Sequence, residues 1–453
     1  MERKITQELT KWKQNSQAKP LVVYGARQVG KTYVIREFGQ NRYQNLIEVN
    51  FEVEETLSSI FAISLQPKAI IKALEDFYET KIDLDNTLIF FDEIQKCPQA
   101  LTSLKYFQEE MEQGKAHYQI VAAGSLLGVT LQHEQGGPLD NKKQQATFPV
   151  GKVDTLIVYP LDFEEFLWAG KKKFLANQIR EGYRQNQALP DILHREALMF
   201  YQKFLVVGGM PKVVAAYLAS SDYRVEQKVI VDSYSADMTK YTPDRITGLR
   251  NQETYRSVAK QLGQEKANKK FIFSDIRKGA KSRDYRGSVW WLAQAHVIIE
   301  CTKIKAGDMP LLASEETDFF KLYLSDTGLL CYLLAVTQNN LDIFDKTYQG
   351  ALTENYVACA LQNKIQALSA RLHYWKASEK TDGAEVDFVI SSSGGNIPIE
   401  VKSSVNVRSK SLNSFTKRFA PAQVFRVSKR NFGFENGIKS IPLYAAFCIE
   451  DMI

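Results

Sequence analysis

The stretch Gly25-Ala26-Arg27-Gln28-Val29-Gly30-Lys31-Thr32 stands between the apolar run Leu21-Val22-Val23-Tyr24 and the segment Tyr33-Val34-Ile35-Arg36-Glu37-Phe38. It matches the pattern G-x-x-x-x-G-K-[ST], a loop whose backbone N–H groups curl around a polyphosphate. A short buried strand before it and the first turns of a helix after it are the context this pattern requires. Gly25 and Gly30 permit the curl. Lys31 is placed to reach β- and γ-phosphates, and the Thr32 hydroxyl to ligate Mg²⁺.

About sixty residues later, Leu88-Ile89-Phe90-Phe91-Asp92-Glu93 places four apolar residues before two carboxylates. The apolar run suits a parallel strand covered on both faces. Asp92 at its tip would help hold Mg²⁺, and Glu93 would polarise an attacking water as a general base. Alone this string is weak; at this distance from the phosphate loop it is strong. A further apolar run, Tyr118 to Ala123, ends in Gly124-Ser125.

The 453 residues are enough for two to four domains, and 44 % hydrophobic content is ordinary for globular cores. No apolar stretch reaches 18 residues, and Met1-Glu2-Arg3-Lys4-Ile5 lacks a signal-peptide core. The expectation is a cytoplasmic protein with no membrane partner. Five scattered cysteines (Cys97, Cys301, Cys331, Cys359, Cys448) with no C-x-x-C pair argue against a zinc site and a disulfide framework. The net charge of +6 is unevenly spread. Residues 402–430 hold eight Lys/Arg and no acid, and residues 265–290 hold eight against three acids. Such windows are the footprint of a phosphate-backbone partner, or else solvated basic faces.

Alternating strands and helices over residues 1–158 predict a parallel α/β core with an amphipathic N-terminal helix (Ile5, Leu9, Trp12). The polar, Gly-containing run 134–145 reads as a loop. Residues 159–235 read as a helical lid, broken at Gly208-Gly209-Met210-Pro211. Over 236–345 the order is helix (Asn251–Gly263), short helix with Ser274 as N-cap, third helix (Ser282–Ala295), then ribbon strands from Val297 and Phe320. That is the order of a winged helix, with Lys281, Arg283 and Arg286 offered by the third helix. A protein-docking module has the same order.

Residues 346–453 contain Ala384-Glu385-Val386-Asp387-Phe388-Val389-Ile390, a Ser/Gly/Asn turn, and Ile397-Pro398-Ile399-Glu400-Val401-Lys402. This predicts a β-hairpin whose partners sum to 787, so that Asp387 faces Glu400 and Glu385 faces Lys402 on one face. Opposed Cβ atoms lie roughly 5 Å apart, where two carboxylates repel unless a cation joins them. Mg²⁺ or Mn²⁺ would satisfy them, with Lys402 orienting water or offsetting charge. The arrangement resembles the PD-(D/E)xK nuclease site, although no Pro precedes Asp387. That resemblance implies metal ligands Asp387 and Glu400, a catalytic Lys402, and a further glutamate from a preceding helix, for which Glu354 is placed. An ordinary surface hairpin with a Glu385–Lys402 ion pair is the plain alternative.

The whole layout resembles a group of bacterial and archaeal AAA-type P-loop ATPases carrying a C-terminal domain of unknown function. The strings GARQVGKT, IFFDE, AAGS, YPLDFEEFL, GGMPKVV, KLYLSDTGLL, GALTENYV and AEVDFVI…IPIEVKSS carry it. The resemblance implies an α/β multidomain chain: AAA-type core, helical lid, winged helix and nuclease-like α/β domain. It implies ATP and Mg²⁺ as cofactors, with Ser125 in the position of a polar sensor near the γ-phosphate. It implies a nucleic-acid partner, DNA ahead of RNA, and it admits a homo-oligomer. Two functions follow: an ATPase controlling a metal-dependent nuclease, or a nucleotide-dependent signalling or defence switch that uses an inactive nuclease fold as a docking surface.

Overall fold

Leu21–Tyr24 (β1), Asn45–Asn50 (β2), Thr87–Asp92 (β3), Ile120–Ala123 (β4) and Asp154–Ile157 (β5) form an all-parallel sheet in the order β2-β3-β4-β1-β5. The computed structural model describes residues 1–125, 149–264, 270–340, 349–365, 371–377, 383–404 and 409–452. The loop expected over 134–145 lies outside them. The chain divides into two compact units, Glu2–Tyr159 and Pro160–Ile453.

In the first unit the sheet is flanked by Ile5–Gln14 (α1), Lys31–Arg42 (α2), Ser58–Ile63 (α3), Pro67–Phe77 (α4) and Pro98–Glu112 (α5). β3 is buried along its whole length, as a strand covered on both faces must be. Val22, Ile89, Phe91 and Ala122 pack with residues of α3, α4 and α5. The Phe51, Phe61 and Phe91 rings meet at 5.4–6.0 Å. Truncating Phe91 to Ala would cost about 3–5 kcal/mol through lost burial and the cavity left behind. On the opposite face α2 packs over β2, β3 and β4. β4 lies between β1 and β3, so the segments that follow these three strands share one edge of the sheet.

The second unit begins with five helices: Phe163–Ala169 (α6), Lys173–Gln185 (α7), Asp191–Val207 (α8), Pro211–Leu218 (α9) and Tyr223–Lys240 (α10). Asp162 and Glu165 close α6 with a reciprocal capping box. Arg245–Leu262 (α11) starts six residues earlier than the sequence suggests, because Asp244 accepts hydrogen bonds from the Ile246 and Thr247 N–H groups. The short helix expected from Ser274 is a single 3₁₀ turn, Phe273–Asp275. The Phe271 and Phe273 rings pack on Phe320, and the Phe271 N–H donates to the Phe320 carbonyl, which ties this segment down in extended form. Ser282–Gln294 (α12) follows.

Ile298–Ile304 (β6) and Glu315–Leu324 (β7) form the antiparallel ribbon. Thr327–Leu333 (α13) and Gln349–Ile365 (α14) lead to Leu372–Lys376 (β8), Glu385–Ser392 (β9) and Gly395–Val401 (β10). Lys410–Phe419 (α15) crosses over to Phe425–Ser428 (β11), and Gly433–Glu435 (β12) and Ile438–Pro442 (β13) finish the sheet. All eight strands belong to one mixed sheet, β12-β13-β11-β10-β9-β8-β6-β7. The ribbon expected in a separate module over 236–345 therefore shares a sheet with the hairpin: β6 pairs in parallel with β8, leaving one fewer open strand edge.

The β9–β10 register follows the expected sum, from Gly395–Ser392 to Ile399–Phe388. One irregularity matters. Between β8 and β9 the register slips, so that Asp387 and Phe388 together stand opposite Tyr374. Such a bulge re-aims side chains at the cost of ladder pairing. Among the described residues, no helix is long and apolar enough to cross a membrane.

Candidate functional site

The phosphate loop joins β1 to α2. Gly25 has φ +140°, and a Cβ there would stand 2.2 Å from the Val158 carbonyl oxygen, so only glycine fits. Gly30, at φ 92°, opens α2 with no side-chain cap, which leaves the helix N-terminal N–H groups directed at the loop. Lys31 is buried and donates to the Gly25 and Ala26 carbonyls at 3.0 and 2.8 Å. Its ammonium is thus held inside the loop by groups that a polyphosphate would outcompete.

Thr32 Oγ1 lies 3.1 and 3.0 Å from the two carboxylate oxygens of Asp92. This joins the first turn of α2 to the tip of β3 through a hydroxyl and a carboxylate, the hard-oxygen pair that suits Mg²⁺. Burial pushes the Asp92 pKa up to about 6, with Glu93 adding to the rise and Thr32 opposing it. A buried carboxylate with so raised a pKa is an electrostatic debt that a bound cation would relieve. Asn50, at the tip of the neighbouring β2, donates to Asp92 Oδ2 at 3.2 Å.

Glu93 sits in the left-handed region, φ 52°, which turns its side chain sharply away from the strand direction. Gln95 Nε2 donates a short hydrogen bond to Glu93 Oε2 and lies 3.4 Å from Ser125 Oγ. Ser125, two residues past the end of β4, is buried. The structure therefore brings Gly25, Gly30, Lys31, Thr32, Asp92, Glu93 and Ser125 to one edge of the sheet. Asn50 and Gln95 escaped the sequence reading. The offset of Gln95, two residues beyond the Asp-Glu pair, was the available signal.

The second cluster lies around the bulge in β9. Asp387 and Glu400 are both buried. Asp387 Oδ2 accepts a hydrogen bond from the Val401 N–H at 2.8 Å. The backbone ladder ends at Phe388–Ile399, so the Asp387 side chain serves the N–H that the next ladder step would have served. Asp387 therefore caps the ladder rather than facing Glu400 as a plain cross-strand partner. Burial raises the pKa of both carboxylates; Lys321 and then Lys402 oppose the rise at Asp387, and Lys402 opposes it at Glu400.

Lys402 Nζ lies 3.3 Å from Glu400 Oε1. The expected Glu385–Lys402 pair is replaced. Glu385 instead meets Lys321 at 2.7 Å and Lys376 at 3.3 Å. Burial works against the Lys402 ammonium, but Asp387 and Glu400 outweigh it and hold its pKa above the ordinary lysine value. Lys402 is accordingly a fixed cation and not a proton acceptor near neutrality.

Glu354, on α14, is buried beside Lys321 and Tyr323 of β7. Tyr323 donates to Glu354 Oε2 at 3.1 Å, and Lys321 Nζ lies 3.8 Å from the same oxygen. Burial pushes the Glu354 pKa up to about 7, with Lys321 opposing the rise. Lys321 and Tyr323 were missed in the sequence, where Phe-Phe-Lys-Leu-Tyr-Leu reads as a strand. A lysine and a tyrosine two apart in an apolar strand were the signal.

Glu400 Oε2 is buried with no hydrogen-bond partner among the described residues. An orphaned carboxylate oxygen beside Asp387 fits a hard divalent cation at that pair. Among the described residues no three His, Cys, Asp or Glu side chains gather closely enough to form a metal cage of their own.

The basic windows are partly internal. Arg426 is buried and donates to the Ser409 and Ser440 hydroxyls. Arg286 pairs with Glu300 at 2.7 Å and lies over the Phe320 ring at 4.3 Å. Arg283 stays open to solvent, its side chain 78 % exposed. A cleft of about 330 Å³ near α12 is lined by Arg286, Trp290, Glu300, Thr302 and Arg371.

Residues 17–167 match the AAA domain family. Residues 200–340 and 349–446 match two domains of unknown function, DUF8612 and DUF4143. No curated protein matches the chain significantly. Among solved structures, a Walker-type ATPase of Pyrococcus abyssi is 15 % identical with a TM-score of 0.40, covering 74 % of this chain and 95 % of that one. The ORC1 protein of Aeropyrum pernix, solved in complex with DNA, is 14 % identical with a TM-score of 0.24, covering 76 % and 91 %. AMPPCP-bound DnaA of Aquifex aeolicus is 12 % identical with a TM-score of 0.25, covering 64 % and 88 %. The chain thus carries an AAA-type P-loop ATPase domain, followed by two segments of families without known function.

Proposed function

We propose that this chain is a Mg²⁺-dependent ATPase whose nucleotide state controls a nucleic-acid-binding, metal-dependent phosphodiesterase site in its C-terminal part. In the ATPase domain Lys31 and the open N-terminus of α2 hold the phosphates, and Thr32 with Asp92 holds the metal. Glu93, aligned by Gln95, takes the proton of the attacking water, and Ser125 senses the γ-phosphate through the same glutamine. Bound Mg²⁺ neutralises charge on the phosphate oxygens.

The observation that carries the second activity is the bulge that turns Asp387 toward β10, beside the orphaned Glu400 oxygen and the fixed cation Lys402. Asp387 and Glu400 would hold a divalent ion, and Lys402 would offset charge gathering on a phosphodiester. Glu354 supports the cluster from α14. The exposed Arg283 and the Trp290–Arg371 cleft supply the phosphate and stacking contacts a nucleic acid needs.

Incubating the purified chain with plasmid DNA or RNA, Mg²⁺ or Mn²⁺, and with or without ATP tests this reading. Cleavage that depends on metal, responds to ATP and disappears in Asp387→Ala, Glu400→Ala and Lys402→Ala supports it. No cleavage with either metal leaves the switch reading, with the cluster as a structural element of a docking domain.

A further inference from the structure

We infer that Lys321 occupies the place of a second cation in the C-terminal cluster, so that the site takes one divalent ion, at Asp387 and Glu400, with Glu354 and Glu385 held by the lysine. This inference rests on the metal-site reading above and alters its ligand set: Glu354 becomes a positioning residue.

The cluster divides into two halves by contact. In one half Lys321 Nζ is 2.7 Å from Glu385 Oε1 and 3.8 Å from Glu354 Oε2. Tyr323 donates to that same Glu354 oxygen, and Lys376 reaches Glu385 Oε2 from the rim at 3.3 Å. The two carboxylates of this half therefore meet cations of the chain itself. In the other half Lys402 lies 3.3 Å from Glu400 Oε1, Lys321 and Lys402 both act on Asp387 from a distance, and Glu400 Oε2 has no hydrogen-bond partner among the described residues. Glu385 Oε1 likewise lacks a well-directed hydrogen bond, but it has the Lys321 ammonium at 2.7 Å, whereas Lys402 stands nearest the other oxygen of Glu400.

The local fold explains the division. Lys321 pairs in register with Cys301 from the edge strand β7, where its side chain is nonetheless only 4 % exposed. A lysine so buried is tolerated only with carboxylates against it. An ammonium ion and a divalent metal compete for the same oxygen environment, and the covalently tethered one carries no cost of association.

Mn²⁺ titration of the nucleotide-free full chain by calorimetry, with thermal melting alongside, tests the inference. Counted apart from any ion at Thr32 and Asp92, which Asp92→Asn removes from the titration, wild type should bind one Mn²⁺ that is lost in Asp387→Asn. Lys321→Met should bind two, and its melting temperature should be lowered without metal and recovered by Mn²⁺. Should that variant fail to fold, the triple variant Lys321→Met/Glu354→Gln/Glu385→Gln removes the buried charge imbalance. It should still bind one Mn²⁺, within about threefold of the wild-type affinity. Loss of Mn²⁺ binding in the triple variant would make Glu354 or Glu385 a ligand and overturn the inference. One ion in both wild type and Lys321→Met, with equal melting behaviour, would also overturn it while leaving the metal site intact. No Asp387-dependent ion in wild type would overturn the metal-site reading itself, and this inference with it.

Discussion

Asp387 Oδ2 accepts the Val401 N–H at 2.8 Å, so a side chain completes a strand ladder that its own bulged backbone has left. Asp387 thus serves the ladder as an acceptor and, in the proposed site, the metal as a charge. These two roles separate on substitution. Asp387→Asn keeps an oxygen for Val401 and removes a buried charge whose pKa burial has raised. It should melt at or slightly above the wild-type temperature without metal, and should cut no nucleic acid. Asp387→Ala leaves the Val401 N–H unpaired, at a cost of about 1–3 kcal/mol that opposes the relief of charge. Melting curves of the two variants, compared with cleavage assays, check the separation.

Asp92 makes the nucleotide-free protein sensitive to pH in a stated direction. Its pKa rises from the ordinary 3.8 to about 6 on folding. A raised pKa means that folding favours the protonated acid. The full stability is present below about pH 4 and is lost as pH rises through about 6. Asp92→Asn should therefore match wild type at low pH. Above pH 6, without Mg²⁺ and nucleotide, it should exceed it by on the order of 2–3 kcal/mol. Denaturant unfolding at pH 4, 5, 6 and 7.5 measures this; a constant difference across that range would contradict it.

Glu93 and Gln95 should act as a unit in hydrolysis. Glu93→Gln removes the proton acceptor and should lower the ATPase kcat by roughly 10²-fold or more with nucleotide affinity retained. Gln95→Ala frees Glu93 from its hydrogen bond and breaks the link to Ser125. It should lower kcat by about tenfold, and in combination with Glu93→Gln should add almost nothing. Steady-state kinetics of the two single variants and the double variant decide whether the effects multiply.

The three basic residues of the α12 region should not behave alike. Lys281→Ala and Arg283→Ala should leave stability unchanged. Each should reduce the slope of log affinity against log salt by about 0.9 if its charge meets a DNA phosphate. Arg286→Ala removes the Glu300 pair and the stacking over Phe320, and should lower the melting temperature. Fluorescence anisotropy of labelled DNA over a salt series, with melting of each variant, distinguishes the classes.

The first unit was legible because its decisive residues are close in sequence and bound by backbone rules. A loop bounded by two glycines of positive φ, a lysine at the helix start and an apolar strand ending in two acids each report their geometry locally. The hairpin register was legible for the same reason: a short turn sets the pairing of Phe388 with Ile399. What period-two alternation could not contain was the bulge at Asp387, because it comes from β8, whose own position depends on pairing with β6 some seventy residues earlier. Nor could it contain Lys321. That lysine meets Glu354 and Glu385 only because α14 packs against one eight-stranded sheet that carries both β7 and β9. Charge counts likewise treated Lys402, Arg286 and Arg426 as one kind of residue, whereas burial turned them into a site cation, a sheet clamp and a core hydrogen-bond donor. Residue type and spacing set the local backbone and the chemistry on offer. Which charges meet, and which face water, was decided by the long-range strand pairing that fixes their distances and their solvation.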